Sequence, residues 1–261
     1  MRVGFFQYDV FRDRSANLDY IRRALDGEKF DLLVLPELFT SGYTFDSLSE
    51  LTPYAESLNE SPTVRELTEM AKRAGGCITG SIPEKEGDKI YNTAIMVSPE
   101  GLIGVHRKIH LPDYEKRHFE AGCSVEVVAY HGVNLGMVVC FDCWFPPLTS
   151  KLRQLGAQVV AHSSCFGGEV TPTIVPIRAL ENQFFIVSCN RIGTELYDGE
   201  DASYRGESQI VDPDGKVLCQ AGSEEALRFF DIDLSKVDHP EFGSFITQDF
   251  TSEHAKYTIE L

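Results

Sequence analysis

The chain has 261 residues, 43% of them hydrophobic, with 24 Lys+Arg against 40 Asp+Glu and a net charge of -16. That is enough apolar material for one large core, and the acidic balance argues against nucleic acid or an anionic membrane as a partner. No apolar run approaches the roughly 20 residues of a membrane span, the start lacks a signal-peptide pattern, and seven scattered cysteines read as reduced thiols, so a cytoplasmic protein without a disulfide framework is expected.

Residues 3–8 are expected to form the first strand. Residues 15–26 read as a helix, with Leu18, Ile21 and Leu25 on one face and Gly27 at its stop. The run 30–35 is a buried strand ended by Pro36, which places Glu37 at a strand's C-terminal end, where α/β sheets bind their ligands. Residues 38–60 form an aromatic loop that includes Tyr43. Ser61-Pro62 opens a helix that Gly75-Gly76 stops. Strands follow at 77–82, 90–98 and 102–106, the last two joined by the turn Ser98-Pro-Glu-Gly101, and Lys108 comes next in a basic segment.

Further strands are expected at 125–130 and 135–139, then a helix over about 147–155 and a strand at 159–162. Residues 163–172, with Cys165 and Phe166, are a Ser/Cys/Gly-rich loop, and 173–184 is a helix. Strands at 185–189, 208–211, 216–219 and 226–232 complete the set. The tail 234–261 lacks periodicity but carries Phe242, Phe245, Phe250 and Tyr257. One phrase recurs: Met96-Val-Ser-Pro-Glu-Gly-Leu-Ile and Ile210-Val-Asp-Pro-Asp-Gly-Lys-Val. The repeat suggests two similar halves in a single α/β domain over 1–261, with two mixed sheets face to face and helices outside.

Cys140 lies between an apolar strand and Pro146-Pro147, which suit a helix start. Peptide dipoles there would favour its thiolate. Glu37 and Lys108 alone read most simply as an internal ion pair. With a thiol beside them they acquire chemistry: a desolvated carboxylate can take the thiol's proton, and an ammonium can stabilise an oxyanion. Cys143 makes a Cys-x-x-Cys with Cys140, but redox chemistry gives Glu37 and Lys108 no role, and zinc lacks a second ligand pair.

Leu35-Pro-Glu-Leu-Phe39, Arg107-Lys-Ile-His-Leu111 and Gly136-Met-Val-Val-Cys-Phe-Asp142 resemble the three signature segments of the nitrilase (carbon–nitrogen hydrolase) superfamily, in its order and at its spacing. Tyr91-Asn-Thr-Ala94, Pro176-Ile-Arg-Ala-Leu-Glu-Asn182 and Gly206-Glu-Ser208 are similar to further family segments. The resemblance implies a four-layer α-β-β-α sandwich with pseudo-two-fold halves. It implies Glu37 as general base, Lys108 as oxyanion stabiliser, Cys140 as nucleophile, Glu115 as a second glutamate (Glu120 being the competitor), and the Phe141 N–H in the oxyanion hole. It implies no metal or organic cofactor, and a homodimer or higher homo-oligomer that uses the tail. One departure is Pro147, where the family commonly has glutamate.

Cys140-Phe-Asp142 is closer to the amidase and carbamoylase branches than to the nitrilases, and the run through Trp144 resembles the N-carbamoylputrescine amidase group. Cys143 and Trp144 stand where carbamoyl amino acid enzymes carry arginines, so a carboxylate clamp is missing. The expected substrate is a small linear amide or N-carbamoyl amine, with a small aliphatic nitrile as the alternative. A catalytically silent binding protein of the same fold is the reading from another class. Tyr43, Trp144, Cys165 and Phe166 are the candidate substrate-binding residues.

Overall fold

The structure is a computed structural model and describes residues 1–237 together with Lys256 and Ile259. Its first half supplies β1 (Arg2–Gln7), α1 (Arg14–Ala24), β2 (Leu32–Val34), the one-turn α2 (Leu48–Leu51), α3 (Pro62–Ala74), β3 (Cys77–Glu86), β4 (Lys89–Ser98) and β5 (Gly101–Arg107). The second supplies β6 (Val127–Tyr130), β7 (Val133–Val139), α4 (Pro146–Gln154), β8 (Val159–Ser163), α5 (Val170–Asn182) and β9 (Phe185–Cys189). After these come β10 (Ile192–Tyr197), β11 (Glu200–Arg205), β12 (Gln209–Val211), β13 (Val217–Gln220) and β14 (Ala226–Asp231).

β10 and β11 pair in a hairpin of their own, and the other twelve strands form two six-stranded sheets, ordered β14-β1-β2-β3-β4-β5 and β6-β7-β8-β9-β12-β13. Both show one sequence of directions: a parallel centre (β1, β2, β3 and β7, β8, β9) with antiparallel strands on either side. The repeated phrase falls on β4–β5 and β12–β13, the same place in each sheet. Both copies carry a register shift at the matching step, Met96/Val97 and Ile210/Val211.

Alternation along the strands builds the layers. Val3 and Phe5 of β1 face the other sheet and pack with Val34, Met96, Met137, Val139 and Val187. Phe6 faces outward and packs with Leu18 and Ile21 of α1 and Leu67 and Met70 of α3. On the other side, Leu148 and Leu152 of α4 and Val175 and Ala179 of α5 cover Val138, Val160 and Ile186. Each such buried side chain contributes about 1.5–3 kcal/mol. The result is a helix–sheet–sheet–helix sandwich.

The expected caps are present. Ser61 accepts the N–H of Val64, Pro62 starts α3, and Gly75 ends it at φ 84. Three expectations differ. β2 covers only Leu32–Val34 of the expected 30–35, although the N–H groups of Asp31 and Leu35 still bond to the Arg2 and Thr79 carbonyls of its neighbours. α5 begins at Val170 and continues through Pro176; proline cannot donate to the Pro172 carbonyl, and the Gln209 side chain donates to it instead, at 2.9 Å. The hairpin β10–β11 has no counterpart in the expected strands, because its sequence is mostly polar and only Glu195 and Tyr204 of it are buried. Most of the tail, with its four aromatics, lies outside the described residues. Among the described residues, no helix is long and apolar enough to cross a membrane.

Candidate active site

Three chain breaks converge at one end of the sandwich. Glu37 follows β2, Lys108 follows β5 and Cys140 follows β7. The Glu37 turn is pinned from both sheets: its N–H donates to the Ser164 carbonyl at 3.2 Å, and the next N–H, of Leu38, donates to Ser81 Oγ at 2.8 Å. The Lys108 N–H donates to the Asn92 carbonyl at 2.8 Å, which continues the β4–β5 pairing by one residue.

Glu37 and Lys108 are fully buried, and Lys108 Nζ lies 2.7 Å from Glu37 Oε1 and 2.5 Å from Glu115 Oε1. Asn92 Nδ2 donates to Glu37 Oε1 at 2.7 Å, and the Tyr43 hydroxyl donates to Glu115 Oε1 at 2.5 Å. Among the described residues, Glu37 Oε2 accepts no hydrogen bond. Burial raises the Glu37 carboxyl to about 7; Lys108 opposes this and the Glu115 charge adds to it. Burial alone would discharge Lys108, but the charges of Glu115 and Glu37 outweigh it and hold the ammonium well above its usual range. Glu120, the competing glutamate, is exposed and sits 3.9 Å from Lys89.

Cys140 adopts φ +42, in the left-handed region that L-residues rarely enter, and opens a 3-10 turn spanning Cys140–Trp144. Its side chain packs in the core between the sheets, and its thiol donates to the Cys165 carbonyl at a sulfur distance of 3.9 Å. The expected dipole-stabilised thiolate is not what the structure holds. α4 begins only at Pro146, beyond the 3-10 turn. Burial first, and then the Glu37 charge, push the thiol well above its usual range, with Lys108 opposing. At rest the Cys140 side chain is therefore a neutral thiol, and its ionisation calls for a base.

Asp142 ties this turn to the lysine segment. Its carboxylate accepts from His106 Nε2 (2.9 Å), His110 Nδ1 (3.0 Å) and the backbone N–H groups of His110 (2.8 Å) and Ile109 (3.2 Å). These donors bracket Lys108 in the chain. Burial works against the Asp142 charge, but the hydrogen bonds from His106 and His110 prevail and hold the carboxyl below its usual range. Cys143 packs away from the site, with the α4 and α5 side chains, and burial pushes its thiol up to about 12. The two sulfurs of the Cys-x-x-Cys therefore belong to different layers of the sandwich.

A cavity of about 240 Å³ opens beside the cluster, lined among others by Tyr43, Tyr114, Cys165, Tyr197 and Tyr204. Two of the four candidate substrate-binding residues, Tyr43 and Cys165, thus line this cavity. Phe166 is buried, with its N–H and C=O both bonded to the Asn190 side chain at 2.9 Å. Trp144 turns outward: the 3-10 turn leaves it 38% exposed, with its indole N–H donating to Thr171 Oγ1 at 3.1 Å at the start of α5. The sequence reading gave no site role to Asp142, Asn92 or the pair Arg191–Glu195. Arg191 is fully buried, ion-paired with Glu195 and 4.4 Å above the Tyr204 ring. Glu195 in turn accepts the N–H groups of Tyr43 (3.0 Å) and Thr44 (2.8 Å), fixing the cavity wall. A polar residue inside an apolar run was the available signal for Asn92. Among the described residues, no group of three or more His, Cys, Asp or Glu side chains is arranged to hold a metal.

Residues 2–239 match the family model described as carbon-nitrogen hydrolase. A nitrilase from Pyrococcus abyssi is 38% identical over 205 residues, covering 78% of this chain and 77% of that protein. An (R)-stereoselective amidase from a Pseudomonas species is 33% identical over 214 residues, covering 79% and 74%. A solved Saccharomyces cerevisiae member of branch 10 of the nitrilase superfamily superposes with a TM-score of 0.81 at 27% identity, covering 94% of this chain and 96% of that one. A signature-bearing turn on each of three strands, a two-fold pair of mixed sheets and these matches lead to one conclusion: the chain belongs to the carbon–nitrogen hydrolase family.

Proposed function

We propose that the protein hydrolyses the C–N bond of a small linear amide or N-carbamoyl amine through a thioester on Cys140. The observation that carries this reading is the buried Lys108 bridging Glu37 and Glu115, with Glu37 raised to about 7 by burial. A base of that pKa is divided between its two forms at neutral pH, so it can both take and return a proton.

In the proposed cycle Glu37 removes the Cys140 proton as sulfur attacks the carbonyl carbon. The oxyanion that forms is held by Lys108 and the Phe141 N–H. Two of the three Lys108 N–H groups face carboxylates, which leaves the third for the substrate oxygen. Glu37 then gives its proton to the nitrogen as the C–N bond breaks, and ammonia or an amine leaves. Water, deprotonated by Glu37, attacks the acyl carbon on Cys140; the carboxylic acid departs, or from a carbamoyl substrate a carbamic acid that loses CO2, and the sulfur takes its proton back from Glu37. Glu115 keeps Lys108 charged while Glu37 is protonated. Every group in the cycle is a side chain or backbone amide, so it calls on no metal or cofactor.

The amidase among the relatives supports this choice of substrate. The nitrilase from Pyrococcus abyssi favours the second reading, a small aliphatic nitrile, which the same nucleophile would convert by way of a thioimidate. Ammonia release over amides, carbamoyl amines and nitriles of equal chain length separates the two. The proposal expects higher kcat/KM for the amide or carbamoyl member, and a nitrile preferred by about tenfold, or 1.4 kcal/mol, overturns it. Failure of every amide and nitrile would favour a silent binding protein. We also infer a homodimer. Val170, Ile177 and Leu180 leave apolar surface exposed on α5, which suits a second copy, and light scattering at micromolar concentration tests it.

A further inference from the structure

Among the buried polar side chains of the described residues, His162 stands beside the candidate site and has no part in the proposed cycle. His162 lies inside the apolar strand β8 and is fully buried. Its Nε2 is 3.1 Å from the Cys140 carbonyl oxygen, and its Nδ1 is 2.9 Å from Ser188 Oγ on the neighbouring β9. Ser164 Oγ lies 2.8 Å from the same Nε2.

The tautomer follows from the partners. A carbonyl oxygen only accepts, so the Cys140 contact requires the tautomer with its hydrogen on Nε2, which the Cys140 carbonyl at 3.1 Å shares with Ser164 Oγ at 2.8 Å. Nδ1 is then left to accept from the Ser188 hydroxyl. Burial lowers the imidazole to about 4, so at neutral pH the ring is uncharged and this arrangement persists.

The carbonyl that His162 holds belongs to the residue at φ +42. It also belongs to the peptide unit that joins Cys140 to Phe141. That unit is planar and trans, so its N–H points opposite to its C=O. A hydrogen bond that fixes the Cys140 carbonyl on one side therefore aims the Phe141 N–H on the other. It also polarises the unit and strengthens the N–H as a donor. The same end of β8 positions the base, since the Ser164 carbonyl accepts the Glu37 N–H.

We infer that His162 is a positioning residue whose hydrogen bond to the Cys140 carbonyl aims the Phe141 N–H at the oxyanion. The inference rests on the proposed hydrolysis. His162 touches no substrate and passes no proton; it acts through one peptide plane. Loss of an oxyanion donor costs about 10²–10³ in kcat, and a misaimed donor loses part of that.

The test compares His162→Leu and His162→Gln with wild type. His162→Leu is expected to lower kcat by about tenfold or more with KM within about threefold, and His162→Gln, which keeps an N–H donor, to recover part of the loss. Alkylation of Cys140 by iodoacetamide develops no oxyanion, so its rate should change by less than about threefold. A kcat for His162→Leu within about threefold of wild type overturns the inference, as does a parallel fall in alkylation, which would make His162 a support for the thiol itself. If His162→Leu does not fold, Ser188→Ala removes the anchor of the ring instead and should lower kcat with KM retained. An activity-free readout separates this inference from the proposed hydrolysis. In protein labelled with ¹⁵N-phenylalanine, the Phe141 amide proton, identified by its loss in Phe141→Leu, should move upfield in His162→Leu. If no amide is turned over, the proposed activity fails, and an unmoved Phe141 resonance then overturns the geometry as well.

Discussion

Lys108 Nζ lies 2.7 Å from Glu37 Oε1, with both side chains fully buried at the ends of two strands of one sheet. A pair this dry is costly to form and is rarely kept for stability alone. Here a second carboxylate, Glu115, also reaches the ammonium, so the cluster carries one more negative than positive charge unless a proton resides on it. Burial raises Glu37 to about 7, so Glu37 can take up that proton near neutral pH.

Glu37→Gln should therefore abolish turnover by about 10³-fold or more and cost little stability. Lys108 keeps Glu115 in that variant, so no buried charge is stranded. In Lys108→Met the two carboxylates face each other, and one is expected to hold a proton at neutral pH. Activity should fall comparably, because the oxyanion loses its cation. Steady-state kinetics with thermal melts check both. A variant that melts early, as a stranded charge costing about 3–5 kcal/mol would make it, yet keeps normal turnover in its folded fraction would mark the cluster as structural.

Activity and stability should respond to pH in opposite directions. The base must be ionised, so kcat/KM should rise as pH increases through about 7. The carboxyl is raised from 4.5 to about 7 on folding, so between those values the folded chain holds a proton that the unfolded chain has released. The Glu37 contribution to stability is then full below about 4.5 and is lost as pH rises through about 7, a change of order 3 kcal/mol at most. Denaturant titrations across this window should show the fall in wild type and a flatter profile in Glu37→Gln.

The two glutamates after the lysine should separate cleanly. Glu115→Gln removes a negative charge that helps to raise Glu37, so the acidic limb of the rate profile should move to lower pH, with kcat reduced by about 10–100-fold. Glu120→Gln changes only an exposed pair at 3.9 Å, and its stability should stay within about 0.5 kcal/mol of wild type with activity unchanged. A pH–rate series on the two variants checks this.

Asp142→Asn should damage stability and turnover together. The amide would turn N–H groups toward donors from His106, His110 and the backbone at 109 and 110. A cost of about 2–3 kcal/mol is expected, or roughly 5–10 °C in Tm for a chain of this size. The kcat should fall more than KM rises, because the clamp aligns Cys140 with Lys108. A melt unchanged from wild type would deny Asp142 this part.

Glu37, Lys108 and Cys140 were legible in the sequence because each interrupts or ends an apolar run, where a charge or thiol needs a reason to be. The paired sheets were legible through the repeated strand–turn phrase, which lands on β4–β5 and β12–β13 with a matching irregularity in each. What the sequence hid is the choice of partner. Asp142 meets His106 and His110 across thirty or more residues, and Arg191 reaches back to Asp9 near the start of the chain, contacts that no local period encodes. The outward turn of Trp144 depends on the 3-10 geometry after a left-handed Cys140. The β10–β11 hairpin lacks the apolar alternation that marks a half-buried strand.

The most direct test of the account is to quench the wild-type protein during turnover of a small amide and locate the acyl group by intact-mass analysis and peptide mapping. The account predicts an acyl thioester on Cys140, absent in Cys140→Ala, with that variant folded and inactive and with Cys143→Ser still active. An acyl group on Cys143 with Cys140 unmodified, or turnover by Cys140→Ala, would contradict it.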